Sequence, residues 1–93
     1  MATMSIRVEF YGIPRSHAGV EFTTIEFEQD GILLGDVLSN LSQRFPNLAE
    51  CIEADRLKPE YRASVDGDRF VSGRDEMLSA GSSLLIMSAD AGG

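Results

Sequence analysis

The sequence predicts an α+β domain in which a mixed sheet lies over one main helix. Three observations carry that expectation. The segments 6–11 and 20–27 have strand character, apolar residues between 34 and 45 recur at helical spacing, and Leu84-Leu85-Ile86-Met87 is an unbroken apolar run. Period-two alternation marks a half-buried strand, and a three-and-four spacing marks one face of a helix. A continuous apolar run suits the centre of a sheet, where both faces are covered.

Taken in chain order, Ile6-Arg7-Val8-Glu9-Phe10-Tyr11 alternates apolar and polar residues and reads as the first strand. Gly12-Ile13-Pro14 breaks it, because proline cannot donate to a ladder and glycine permits a turn. Residues 15–19 read as a loop. Residues 20–27, rich in β-branched and aromatic side chains, form a second strand that closes an antiparallel hairpin with the first. Residues 28–31 are a polar turn. Leu34, Val37, Leu38, Leu41 and Phe45 then line one helical face, placing a helix at about 35–45 that Pro46 terminates.

Residues 48–52 read as a short further helical turn, and 53–60, polar and containing Pro59, as a surface connection. Strands are predicted at 61–65 and 69–71, joined by the tight-turn signal Asp66-Gly67-Asp68. Residues 75–81 read as one helical turn and a connection, and 84–88 as the last strand. One substantial helix between a hairpin and a late strand that can return beside the first gives a β-grasp arrangement. A ferredoxin-like order needs a second helix and fits less well. Ile25, Leu38, Leu41, Leu84 and Ile86 are the simplest core candidates, together with Val8 and Phe10.

Composition sets outer bounds. Ninety-three residues, 43% hydrophobic and 25% charged, suit one folded domain with one core. No apolar run approaches the roughly 20 residues that span a bilayer. The start, MATMSIRVEF, lacks the basic and apolar regions of a secretory signal, so a cytoplasmic location is expected. Fifteen acidic against eight basic side chains give a formal charge of −7. That balance disfavours nucleic-acid backbones and suits a partner with a basic face.

One cysteine, Cys51, and one histidine, His17, cannot assemble a zinc or iron–sulfur ligand set. Nothing in the sequence brings the two together as a nucleophile pair, and Cys51 reads as a small packing residue. No Asp-Ser-Leu attachment site for an acyl carrier is present. His17 and Arg15 read as solvated loop residues, and the acidic run from Glu26 to Asp30 as a solvated face.

The segments IRVEFYG, RSHAGV, GDVLSNLSQRFPNL, ASVDG and LSAGSSLLIMSADAGG occur in fixed order and end on Gly92-Gly93. In that order and spacing the chain resembles the MoaD/ThiS family of ubiquitin-like sulfur carriers over nearly its whole length. The resemblance implies a carrier rather than an enzyme. The Gly93 carboxylate would be adenylated, at the expense of ATP, by an adenylyltransferase of the ubiquitin-activating type. A sulfurtransferase would then convert it to a thiocarboxylate. The carrier itself would bind no cofactor. Its length and tail most resemble the small subunit of molybdopterin synthase, which implies the large subunit of that enzyme as sulfur acceptor. Carriers for cysteine, thiamine or transfer-RNA thiolation are alternatives. So is a ubiquitin-like modifier joined through Gly93 to target lysines, for which Lys58 is the only lysine in the chain itself.

Residues 1–87 are thus expected to form the β-grasp domain and 88–93 a flexible tail. Extended, six residues at about 3.3 Å each reach about 20 Å, and Gly92 and Gly93, without Cβ atoms, can pass through a narrow channel. Ser88-Ala89 and Asp90 depart from the family pattern, which often has a proline pair and then a neutral or hydrophobic residue. If Leu84 and Ile86 face the helix, alternation turns Leu85 and Met87 outward, and Tyr11 with them. These three residues, Tyr11, Leu85 and Met87, are the predicted partner-docking patch. A plain binding module with an inert tail is the remaining reading.

Overall fold

The computed structural model describes residues 4–28 and 31–89. Strand β1 (Met4–Phe10) turns Ile6, Val8 and Phe10 into the core, and β2 (Phe22–Phe27) pairs antiparallel to it, as the alternation predicts. Between them the chain forms a short helix, α1 (Ile13–Ala18), where the sequence reads as a break and a loop. Proline is compatible with the first turn of a helix, where its missing N–H has no intrahelical role. Six residues are too few to display a helical period, so packing carries the helix: Pro14 is buried and α1 rests on the last strand of the chain. Gly19, at φ 81°, closes it by donating its N–H to the Arg15 carbonyl at 2.9 Å.

Strand β3 (Gly31–Leu33) leads directly into the main helix, α2 (Leu34–Arg44), which buries Leu34, Val37, Leu38 and Leu41. No side chain caps its start. Instead the Leu34 and Gly35 amides donate to the carbonyls of Glu76 and Arg74, at 2.8 and 2.9 Å. These contacts satisfy two of the amides that a helix start leaves open. A Cβ on Gly35 would lie 3.0 Å from the Arg74 Cβ and 3.2 Å from the Arg74 carbonyl oxygen, so a side chain here would push that segment back by a few tenths of an ångström. Phe45, just past the helix, meets Phe10 edge to face with ring centroids 6.0 Å apart.

A 3₁₀ turn over Pro46–Glu50 follows, close to the helical turn predicted there, and then a short hairpin, β4 (Ile52–Glu53) with β5 (Arg56–Leu57), which takes Ile52 from the predicted helical turn and the rest from the predicted connection. β6 (Tyr61–Val65) and β7 (Arg69–Val71) are paired as predicted. Asp66 and Gly67 turn between them with φ of 55° and 75°, the tight hairpin turn that aspartate and glycine favour. Residues 77–79, expected within a helical turn, instead form β8 (Met77–Ser79), antiparallel to β3 with Leu78 opposite Ile32 and both buried. Burying Leu78 against Ile32 outweighs the weak helical signal of so short a segment.

The last strand, β9 (Ser83–Ser88), sits at the centre of a five-stranded sheet of order β2-β1-β9-β6-β7. It runs parallel to β1 and antiparallel to β6. Leu84 and Ile86 are fully buried on the side that α2 covers, so the mixed sheet on one main helix is the predicted β-grasp. Cys51 lies within the same core, which extends the packing role read from the sequence. Leu84→Ala or Ile86→Ala is expected to lower stability by about 2–5 kcal/mol, from lost burial plus the cavity left behind. Leu85→Ala, on the other face of the same strand, should cost less than half as much; urea denaturation followed by circular dichroism measures both.

Candidate functional site

The sheet has one face on the core and one face outward, and the strand registers decide which side chains meet on the outer face. Glu9 of β1 and Ser64 of β6 flank Leu85 of β9. Phe22 lies opposite Glu9, and Phe70 lies opposite Ser64. A single row, Phe22–Glu9–Leu85–Ser64–Phe70, therefore crosses all five strands. One step along, Met87 stands opposite Arg62 on one side. On the other, the Tyr11 amide donates to the Ile86 carbonyl at 2.9 Å, which sets Tyr11 beside Met87.

Leu85 and Met87 are half-buried by these neighbours, whereas Tyr11 is 42% exposed, Phe22 48% and Phe70 63%. Phe22 and Phe70 are the members that sequence reasoning did not single out. The signal was there: Phe22 is out of phase with Ile25, and Phe70 is out of phase with the buried Val71. Arginines cover both rings. The Arg7 guanidinium stands 3.8 Å from the Phe22 centroid, and that of Arg62 is 5.6 Å from the Phe70 centroid. Arg7 also approaches Glu9 at 3.8 Å, and the Tyr11 hydroxyl donates to a Glu9 carboxylate oxygen at 3.2 Å. The negative charge of Glu9 opposes ionisation of the phenol and, with some burial, raises the Tyr11 pKa above its ordinary value.

This face adjoins the end of β9. Ser88 pairs with Tyr61, and the Ala89 amide donates to the Glu60 carbonyl at 2.7 Å, so the chain is held to the sheet rim up to Ala89. Gly92 and Gly93, the predicted reactive end, lie outside the described residues.

The other candidates lie elsewhere. His17, expected in a loop, belongs to α1. The Cys51 thiol is enclosed by the core, and burial raises its pKa, which disfavours the nucleophilic thiolate. Among the described residues no group of three metal-ligating side chains converges, and no helix is long and apolar enough to cross a membrane.

No protein-family model and no curated protein matches the chain. Solved structures do. A solution structure of the HVO 2177 protein of Haloferax volcanii superposes with a TM-score of 0.76 at 26% identity, over 98% of this chain and 88% of that one. SAMP1 from the same organism gives 0.78 at 20% identity, over 96% and 99%. A candidate molybdopterin converting factor, subunit 1, from Pyrococcus furiosus gives 0.75 at 22% identity, over 91% and 97%. The fold that the sequence resemblance implies is thus matched in three dimensions, and the chain has the ubiquitin-like β-grasp fold.

Replacing Glu9 by glutamine removes the charge that opposes the phenolate. Tyr11 in Glu9→Gln is expected to titrate at lower pH than in the parent, read from its ring resonances by NMR, with Tyr61 as the internal reference.

Proposed function

We propose that this chain is a ubiquitin-like carrier whose Gly93 carboxylate is activated and loaded with sulfur by partner enzymes. The observation that carries the reading is the placement of β9. It is hydrogen-bonded on both sides, tied down as far as Ala89, and presents Leu85 and Met87 on the outer face beside Tyr11. A short segment leaving such an anchor beside an apolar face suits insertion into an enzyme docked on that face.

The chemistry follows from the carboxylate. It is a poor electrophile until ATP converts it to an acyl-adenylate with release of pyrophosphate. The outer sulfur of a sulfurtransferase persulfide then expels AMP to give an acyl disulfide, and a second thiol cleaves its S–S bond, becoming disulfide-linked to the sulfurtransferase cysteine and leaving a thiocarboxylate, which carries sulfur without releasing free sulfide. The carrier holds no cofactor in this scheme and acts only with its partners. The acceptor proposed first is the large subunit of molybdopterin synthase. Supporting it are the sequence resemblance and the likeness to the Pyrococcus protein named as a molybdopterin converting factor subunit. Conjugation through Gly93 to target lysines is the second reading, supported by the likeness to SAMP1, a small archaeal modifier protein.

The test is intact-mass spectrometry after incubation with an adenylyltransferase of the ubiquitin-activating type, ATP and a sulfur donor. The expected product is heavier by the exchange of one oxygen for one sulfur, and removal of Gly93 abolishes it. Glycine-glycine remnants on target lysines, without the sulfur exchange, would favour the modifier. Unchanged activity after removal of Gly93 would leave a binding module with an inert end.

The docking face has its own readout. Leu85→Asp or Met87→Asp should weaken binding to the activating enzyme by about tenfold or more, corresponding to about 1.4 kcal/mol, with the circular dichroism spectrum retained.

A further inference from the structure

The sheet ends at β7, three residues long, whose outer edge pairs with no other strand among the described residues. A groove of about 340 Å³ opens there. Leu38 of α2, Leu57, Lys58, Arg62, Phe70 and Val71 are among the side chains that line it. Val71 is buried on the core side of the sheet, whereas Arg62 and Phe70 belong to the outer face. Side chains from both faces can line one groove only where it crosses the sheet edge. A ligand lying in it therefore runs past the open backbone groups of β7, which a strand from another chain can pair with.

The charges of this groove are unlike those of the rest of the molecule. The chain carries a formal charge of −7 and has eight basic side chains. Arg7, Arg15, Arg56, Arg69 and Arg74 each approach a carboxylate. Arg44 donates to the Thr24 carbonyl and to the Thr23 hydroxyl. That leaves Lys58 and Arg62, which form neither ion pair nor side-chain hydrogen bond among the described residues, and both line this groove. Arg62 is held over the Phe70 ring instead. An acidic protein that sets five of its other six cations against carboxylates and keeps two beside an apolar trough presents a complement to a ligand that is apolar and anionic together.

We propose that the β7 groove is a second docking site, which takes an extended segment of a partner protein bearing both apolar and acidic side chains. The apolar side chains fill the Leu38–Leu57–Val71 trough, the acidic residues meet Lys58 and Arg62, and the segment's backbone pairs with β7. At about 3.3 Å per residue, three residues of β7 match about three residues of such a segment. The site is separate from the chemistry of Gly93 and does not need that residue.

The probe is the acetylated, amidated hexapeptide Val-Ile-Val-Glu-Glu-Glu, titrated into the ¹⁵N-labelled full chain. The expected result is saturable shifts of the Lys58, Arg62, Val71 and Ser72 amides that weaken with added salt. Lys58→Glu and Arg62→Glu should each reduce affinity about threefold to tenfold, as loss of a partly desolvated ion pair does. Removal of Gly93 should leave it unchanged. Any of several results would overturn the proposal. These are shifts absent at millimolar peptide, shifts that centre on Leu85 and Met87, and shifts that persist when lysines replace the three glutamates. Shifts reproduced by free glutamate or phosphate alone would make the groove a small-anion site. Concentration-dependent dimerisation in sedimentation, lost on Lys58→Glu, would assign the edge to a second copy of this chain.

Discussion

The parallel pairing of β9 with β1 is the contact on which the rest of the molecule depends. It brings the last strand back beside the first and inserts it between β1 and β6, so that each backbone edge of β9 has a partner. From that position alternation does two jobs at once. Leu84 and Ile86 enter the core, where full burial of each contributes about 1.5–3 kcal/mol. Leu85 and Met87, displaced by one residue, join the outer face beside Tyr11. A slip of one residue in this register would exchange the two sets and expose the core pair. Core, outer face and the anchoring of β9 as far as Ala89 are thus one geometric decision.

Surface electrostatics adds selectivity more than stability. Exposed ion pairs such as Arg15–Glu21 and Arg69–Glu76 contribute at most about 1 kcal/mol each. Their distribution has a different consequence. By absorbing most of the basic side chains they leave positive charge uncompensated in few places, chiefly the rim of the β7 groove. The arginines over Phe22 and Phe70 act similarly on the outer face, where they shield large rings from water without burying them in the domain.

Legibility in the sequence followed the strength of the local pattern. β1, β2, α2, β6, β7 and β9 each combine a clear period with apolar residues that reach the core, and each was readable to within about two residues. Helix α1 was not, because its six residues show no period and its proline carried two meanings, a break or a first turn. β8 was not, because three residues around Met77-Leu78 have no intrinsic preference and take their conformation from β3. The start of α2 also lacked a signal: its caps are backbone carbonyls of Arg74 and Glu76, some forty residues away. Phe22 and Phe70 were visible as aromatics, but only the phase of their strands shows that they face outward.

The amino-acid sequence by itself determined the α+β class, the single main helix, the central last strand and the identity of the outward residues Tyr11, Leu85 and Met87. These rest on local periodicity, which is written residue by residue. Only the tertiary structure decided which outward residues become neighbours, since cross-strand register joins Phe22, Leu85 and Phe70 across more than sixty positions of chain. It also decided that Lys58 and Arg62 share one groove with Leu38 and Val71, because a sheet edge exists only once the strands are ordered.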